Sequence, residues 1–107
     1  MVIITGKPAS WGKISGRIKI INSYADIFKI EDGDIAVSAR LHPDMSLVFM
    51  KAKGIITEEE SILQHAAIVA REYGIPCIVG VKKATSVFKN NEKVCMDADS
   101  GKIEREA

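Results

Sequence analysis

Apolar residues in this chain fall into short runs divided by turn residues, and the period of the runs changes along the sequence. Arg17 to Ile21 alternates and then becomes continuously apolar, which predicts a strand. Tyr24 to Ile30 fits either a short helix or an irregular crossing, with Ile27, Phe28 and Ile30 as its apolar members. Asp32-Gly33 is a turn. Ile35 to Ala39 is almost wholly apolar, the pattern of a strand covered on both faces. From there the punctuation reads β-α-β-α-β. Pro43 suits a first helical turn, where its missing N–H costs nothing, and Met45, Val48, Phe49 and Ala52 form a stripe at helical spacing. Ile55-Ile56 is the next buried strand, residues from about 62 to 73 a second helix, and Cys77 to Val79 a third strand. A short helix near Ala84 to Phe88 and a hairpin after Asn90-Asn91 complete the chain. Short strands joined by single helices imply parallel pairing, and the pattern predicts a small α/β or α+β domain with a mixed sheet.

The second helix carries the candidate chemistry. In Gln64-His65-Ala66-Ala67-Ile68-Val69-Ala70-Arg71-Glu72, a histidine near the helix start is followed by residues small enough to let the helix press on a sheet; Gly74 and Pro76 then end it. A neutral imidazole is a nucleophile at working pH and a fair leaving group afterwards, and a helix N-terminus compensates a bound anion. Arg71 lies about 9 Å further along the axis and off the histidine's stripe, so it reads as structural or partner-facing. Two capping boxes are legal by pattern, Ser61-x-x-Gln64 and Thr57-x-x-Glu60, and they place the helix start differently. His42, preceding Pro43, reads as a solvated residue at a helix start.

Bulk properties narrow the partners. At 107 residues the chain, 1–107, is expected to be a single domain. Its net charge of +1 gives no reason to expect nucleic acid or an anionic membrane, and no apolar run approaches the ~20 residues of a membrane span. A cytoplasmic location is the default expectation. Cys77 and Cys95 fall in predicted strands, not in a paired-cysteine motif, and together with His42 and His65 match no zinc spacing, so no metal site is expected.

Residues 64–76 resemble the H-A-A-I-x-A-R-E-x-G-I-P signature of the phosphohistidine domain of phosphoenolpyruvate (PEP)-utilising enzymes. The likeness extends along the chain. Ala9-Ser10-Trp11-Gly12 with Gly16 is similar to that family's A-S-P-G-x-x-x-G loop, with Trp11 replacing proline. Asp32 to Val37 resembles its G-D-I-L-V strand, Pro43-Asp44 its P-D/E segment, and Ala52 to Thr57 its A-x-A-I-V-T segment. Val79-Gly80-Val81 and Val94 to Asp97 with Gly101 are similar to its later segments. Gly74-Ile75-Pro76-Cys77 looks most like phosphoenolpyruvate synthase-type members.

The resemblance implies a three-layer β/β/α swivelling phosphohistidine domain with a mixed sheet. It implies His65 as phosphoryl acceptor, with Ser61, Leu63, Gln64 and Ala66 as the phosphate environment. No cofactor is expected on this chain; Mg²⁺ with ATP or phosphoenolpyruvate is expected on partner domains, an ATP-grasp nucleotide-binding domain or a phosphoenolpyruvate-binding barrel, in the same or a separate chain. The chain would then be a phosphotransferase component, inactive in isolation. Glu60 and Ser61 stand where the family commonly has two glycines, and Leu63-Gln64 where it has Thr-Ser or Thr-Cys. Glu58, Glu59 and Glu60 read as a solvated acidic run that places negative charge before a site meant for an anion. These departures motivate the alternative, a non-catalytic interaction or regulatory module that retains the swivelling fold.

Overall fold

The computed structural model describes residues 3–40, 47–60 and 63–106, and of residues 63–66 the backbone. Eight strands form one hydrogen-bonded series: β1 (Ile3–Thr5), β2 (Lys7–Ser10), β3 (Lys13–Ile21), β4 (Ile35–Ser38), β5 (Gly54–Thr57), β6 (Cys77–Val79), β7 (Lys93–Asp97) and β8 (Lys102–Arg105). Their order is β1-β8-β7-β3-β4-β5-β6-β2. Helices α1 (Leu47–Lys51) and α2 (Leu63–Tyr73) connect the parallel strands β4, β5 and β6; α3 (Ala84–Val87) follows β6.

β3 belongs to both halves of this series. Its first part, Lys13 to Arg17, pairs antiparallel with β7, and its second part, Ile18 to Ile21, pairs parallel with β4. The strands therefore form two layers sharing one bent strand. Strand alternation explains why β4, β5 and β6 are apolar throughout. Ile35, Val37, Ile56 and Ile78 point between the two strand layers, where they meet Ile18, Phe88, Val94, Met96 and Ile103. Ala36, Ile55, Cys77 and Val79 point the other way, against Val48, Phe49, Ala67 and Ala70 of the helices. Two cores and three layers result, the β/β/α arrangement.

The expected elements from β4 onward fall where the pattern put them, within two residues at either end, except that the expected start of the first helix at Pro43 lies outside the described residues. Tyr24 to Lys29, open between two readings, is a 3-10 helix. Asp26 fixes its start by accepting the N–H groups of Asn22 and Ser23. The expected strand at Arg17 is the second half of a longer one beginning at Lys13. Strands β1 and β2 were not expected, because Lys7-Pro8 lacks strand character by itself. They lie at opposite ends of the strand order with only Gly6 between them, and the Gly6 N–H donates to the Gly101 carbonyl at 2.9 Å. Leu41 to Ser46, which include His42, Pro43, Asp44 and Met45, lie outside the described residues.

Candidate functional site at the carboxyl edge of the parallel strands

α2 packs across β2 and β6 with Ala67 and Ala70 buried against the sheet; side chains of this size let the helix axis approach closely. Its far end is a Schellman motif: Gly74, at φ +68°, donates to the Arg71 carbonyl, and Ile75 donates to the Ala70 carbonyl. Its near end opens at the carboxyl edge of β4, β5 and β6. Leu63, Gln64, His65 and Ala66 form the first turn, so the His65 backbone is the third residue of the helix. Ser61 lies outside the described residues.

The segment leading into this turn is pinned. Glu58 and Glu59 donate their N–H groups to the carbonyls of Ser38 and Ala39, and Val81 donates to the Thr57 carbonyl at 3.0 Å. The buried hydroxyls of Ser38 and Thr57 are turned into local carbonyls, those of Arg40 and Glu59. Thr57 closes β5 and donates to the Glu59 carbonyl, so the capping box that would begin at Thr57 does not form.

Glu58 and Glu60 are more than a solvated acidic run. One Glu58 oxygen accepts both the N–H (2.8 Å) and the hydroxyl (2.6 Å) of Thr85, holding the start of α3 against this edge. Glu60 pairs with Lys7, which stands opposite Val79 at the carboxyl end of β6. The Glu60 side chain also lies against Gly80: a Cβ there would sit 3.3 Å from Oε2, and the backbone holds φ +70°. The Glu60 charge is thus paired at its own position, where the sequence alone reads as a solvated acidic run. Sequence reasoning missed Lys7 because it missed β2; the signal available was the Lys7 to Ser10 segment, whose last two residues, Ala9 and Ser10, are buried.

Arg71 is exposed at the opposite end of α2, where it lines a shallow hollow of about 430 Å³ with Ser10, Trp11 and Gly74. Trp11, 75% exposed, stands there as well. The two cysteines stand on different strands, β6 and β7. Cys77 lies in the core between sheet and helices, and burial pushes its thiol up to about 12. Cys95 is half-buried on β7 beside Ser15 and Glu106. No helix of the described residues is long and apolar enough to cross a membrane.

Comparison with known proteins bears on this geometry. Residues 30–101 match the family described as PEP-utilising enzyme, mobile domain. A probable phosphoenolpyruvate synthase of Methanothermobacter thermautotrophicus is 45% identical over 102 residues, covering 95% of this chain and 15% of that protein. A rifampicin phosphotransferase of Bacillus cereus is 39% identical over 101 residues, 94% of this chain and 12% of that protein. The chain therefore spans a small part of the length of these relatives. A crystal structure of Thermococcus kodakaraensis aconitase X superposes with a TM-score of 0.73 at 22% identity, covering 100% of both chains, a likeness of fold alone. By the match over residues 30–101 and by these relatives, the chain belongs to the PEP-utilising enzyme mobile-domain family.

Proposed function

We propose that the chain is a phosphoryl carrier with His65 as the acceptor. An unprotonated imidazole nitrogen attacks a phosphoryl donor, the donor's P–O bond breaks as the P–N bond forms, and the group later passes to an acceptor oxygen elsewhere. The observation that carries this reading is the position of His65. It is the third residue of an eleven-residue helix whose N-terminus opens at the carboxyl edge of the parallel strands, within the family match. Unpaired N–H groups and the positive end of the helix favour a negative group there. Such transfer asks for positioning and charge compensation more than for further covalent groups. Leu63, Gln64 and Ala66 share the turn, and Ser61 precedes it.

Donor and acceptor sites belong to other domains in this reading: an ATP-grasp domain or a phosphoenolpyruvate-binding barrel, with Mg²⁺ and the nucleotide or phosphoenolpyruvate, in a cytoplasmic setting. The names of the relatives support this division. One is named a probable phosphoenolpyruvate synthase and the other a rifampicin phosphotransferase, so segments similar to this chain occur in proteins named for different reactions.

The test mixes the chain with a separately prepared ATP-grasp donor domain, ATP and Mg²⁺. One acid-labile, base-stable phosphate should appear, and His65→Ala should abolish it with the fold intact. Label that survives His65→Ala moves the site, with His42 the first alternative. The chain alone should take no label from ATP or phosphoenolpyruvate. A parent chain that stays unlabelled beside a competent donor domain supports the second reading, a non-catalytic interaction module, which Glu60 in a family glycine position favours.

A further inference from the structure

We propose that Lys7 is the cation that binds the phosphoryl group on His65, and that Glu60 holds Lys7 in reserve until the group arrives. This rests on the carrier reading. Lys7 is placed by strand register, opposite Val79 at the carboxyl end of β6, beneath the helix that packs across β2 and β6. Glu60, its partner, precedes the first residue of α2 by three positions. The ammonium is therefore tethered beside the N-terminal end of the helix that carries His65.

Two features make this pair an exchangeable one. Lys7 and Glu60 side chains are 59% and 54% exposed, so little desolvation holds them together. A phosphoryl group carries up to two negative charges and three acceptor oxygens against the single charge of a carboxylate, so a nearby ammonium favours it. Glu60 has its own seat against Gly80 and can remain there after Lys7 departs. The neighbouring Glu58 does not compete for Lys7, because its carboxylate is engaged by Thr85. Lys82 and Lys83 are exposed beyond β6 and supply the controls for a general positive field.

Lys7 would act as a positioning residue, and the readout must be electrostatic. The full chain is phosphorylated with potassium phosphoramidate, with His65→Asn as the site control, and the phosphoryl group is titrated by ³¹P NMR. A bound ammonium favours the dianion and lowers the titration midpoint. Lys7→Met should raise that midpoint by roughly 0.3 to 0.7 of a pH unit. Lys7→Arg should restore it, Glu60→Gln should lower it further, and added salt should shrink every difference. Equal midpoints in the parent and Lys7→Met, both labelled at His65, overturn the role of Lys7 and leave the carrier reading standing. So does a shift of equal size from Lys82→Met or Lys83→Met, which indicates a diffuse field. A parent chain whose His65 takes no phosphoryl group from phosphoramidate, and none from the donor domain with ATP and Mg²⁺, overturns both.

Discussion

Gly80→Ala perturbs the junction on which the site depends, and its cost divides into two separable parts. The backbone at Gly80 holds φ +70°, and a left-handed conformation costs an L-residue about 1–2 kcal/mol. The added methyl would meet Glu60 Oε2 at 3.3 Å and its Cβ and Cγ at 3.6 Å. The closest of these atoms is the free end of an exposed side chain, so this second part should be a few tenths of a kcal/mol. The expected loss is therefore about 1–2 kcal/mol, nearly all of it from the backbone, or a fall in Tm of roughly 5–15 °C for a domain of this size. Urea denaturation of parent, Gly80→Ala, Gly80→Asn and each in a Glu60→Gly background measures both parts. Asparagine tolerates the left-handed region better than alanine although it is larger, so Gly80→Asn should cost less. The alanine loss should persist within about 0.5 kcal/mol when Glu60 is absent. A larger loss for asparagine, or an alanine loss that vanishes with Glu60, would refute the backbone account and make Gly80 a packing position.

Phe88→Ala should cost about 3–5 kcal/mol by denaturant titration, because the ring is buried between the two strand layers with the Arg105 guanidinium over its face; a loss below 1.5 kcal/mol would mean that the second core is not closed there. Burial raises the Cys77 thiol from an ordinary 9.0 to about 12, so in the unfolded chain it ionises at lower pH than in the folded one. The stability this contributes is whole below pH 9 and declines as pH rises toward 12, at about 1.4 kcal/mol per pH unit while only the unfolded thiol is ionised. Comparing the parent with Cys77→Ala between pH 7 and 10 isolates that slope; parallel curves would show that the thiol is not desolvated in the fold.

The parallel half of the fold was legible because both faces of β4, β5 and β6 are covered, which leaves continuous apolar runs between turn signals. Ile35, Ile55 and Cys77 begin or fall in such runs and were located within a residue or two. The opening strands were not legible for the complementary reason. β1 and β2 end the strand order, each paired along one edge, and their residues are mostly exposed. What defines them is a partner distant in sequence: Glu104 for Ile3, Val79 for Lys7. The same gap hid Lys7 from the site. His65 could be singled out because its helix has a local signature, while the cation beside that helix arrives through strand register, which no local pattern records. The glutamate run was misread for a related reason, since Thr85 and Lys7, which engage Glu58 and Glu60, are 27 and 53 residues away.

The antiparallel pairing of β1 with β8 sets Ile3 opposite Glu104, so the chain enters the domain and leaves it at one corner. In a longer protein that carried such a segment between two others, the polypeptide on either side would be anchored at nearly the same point. Two tethers at one point restrain translation far more than rotation. A domain joined in this way can turn through a wide arc while its strands stay rigid, and the angle is limited by the linkers and by whatever surface it meets at each end. Moving one attachment to the β2 edge, by circular permutation through an exposed loop, would separate the tethers and convert that pivot into a clamp without altering a residue of either core.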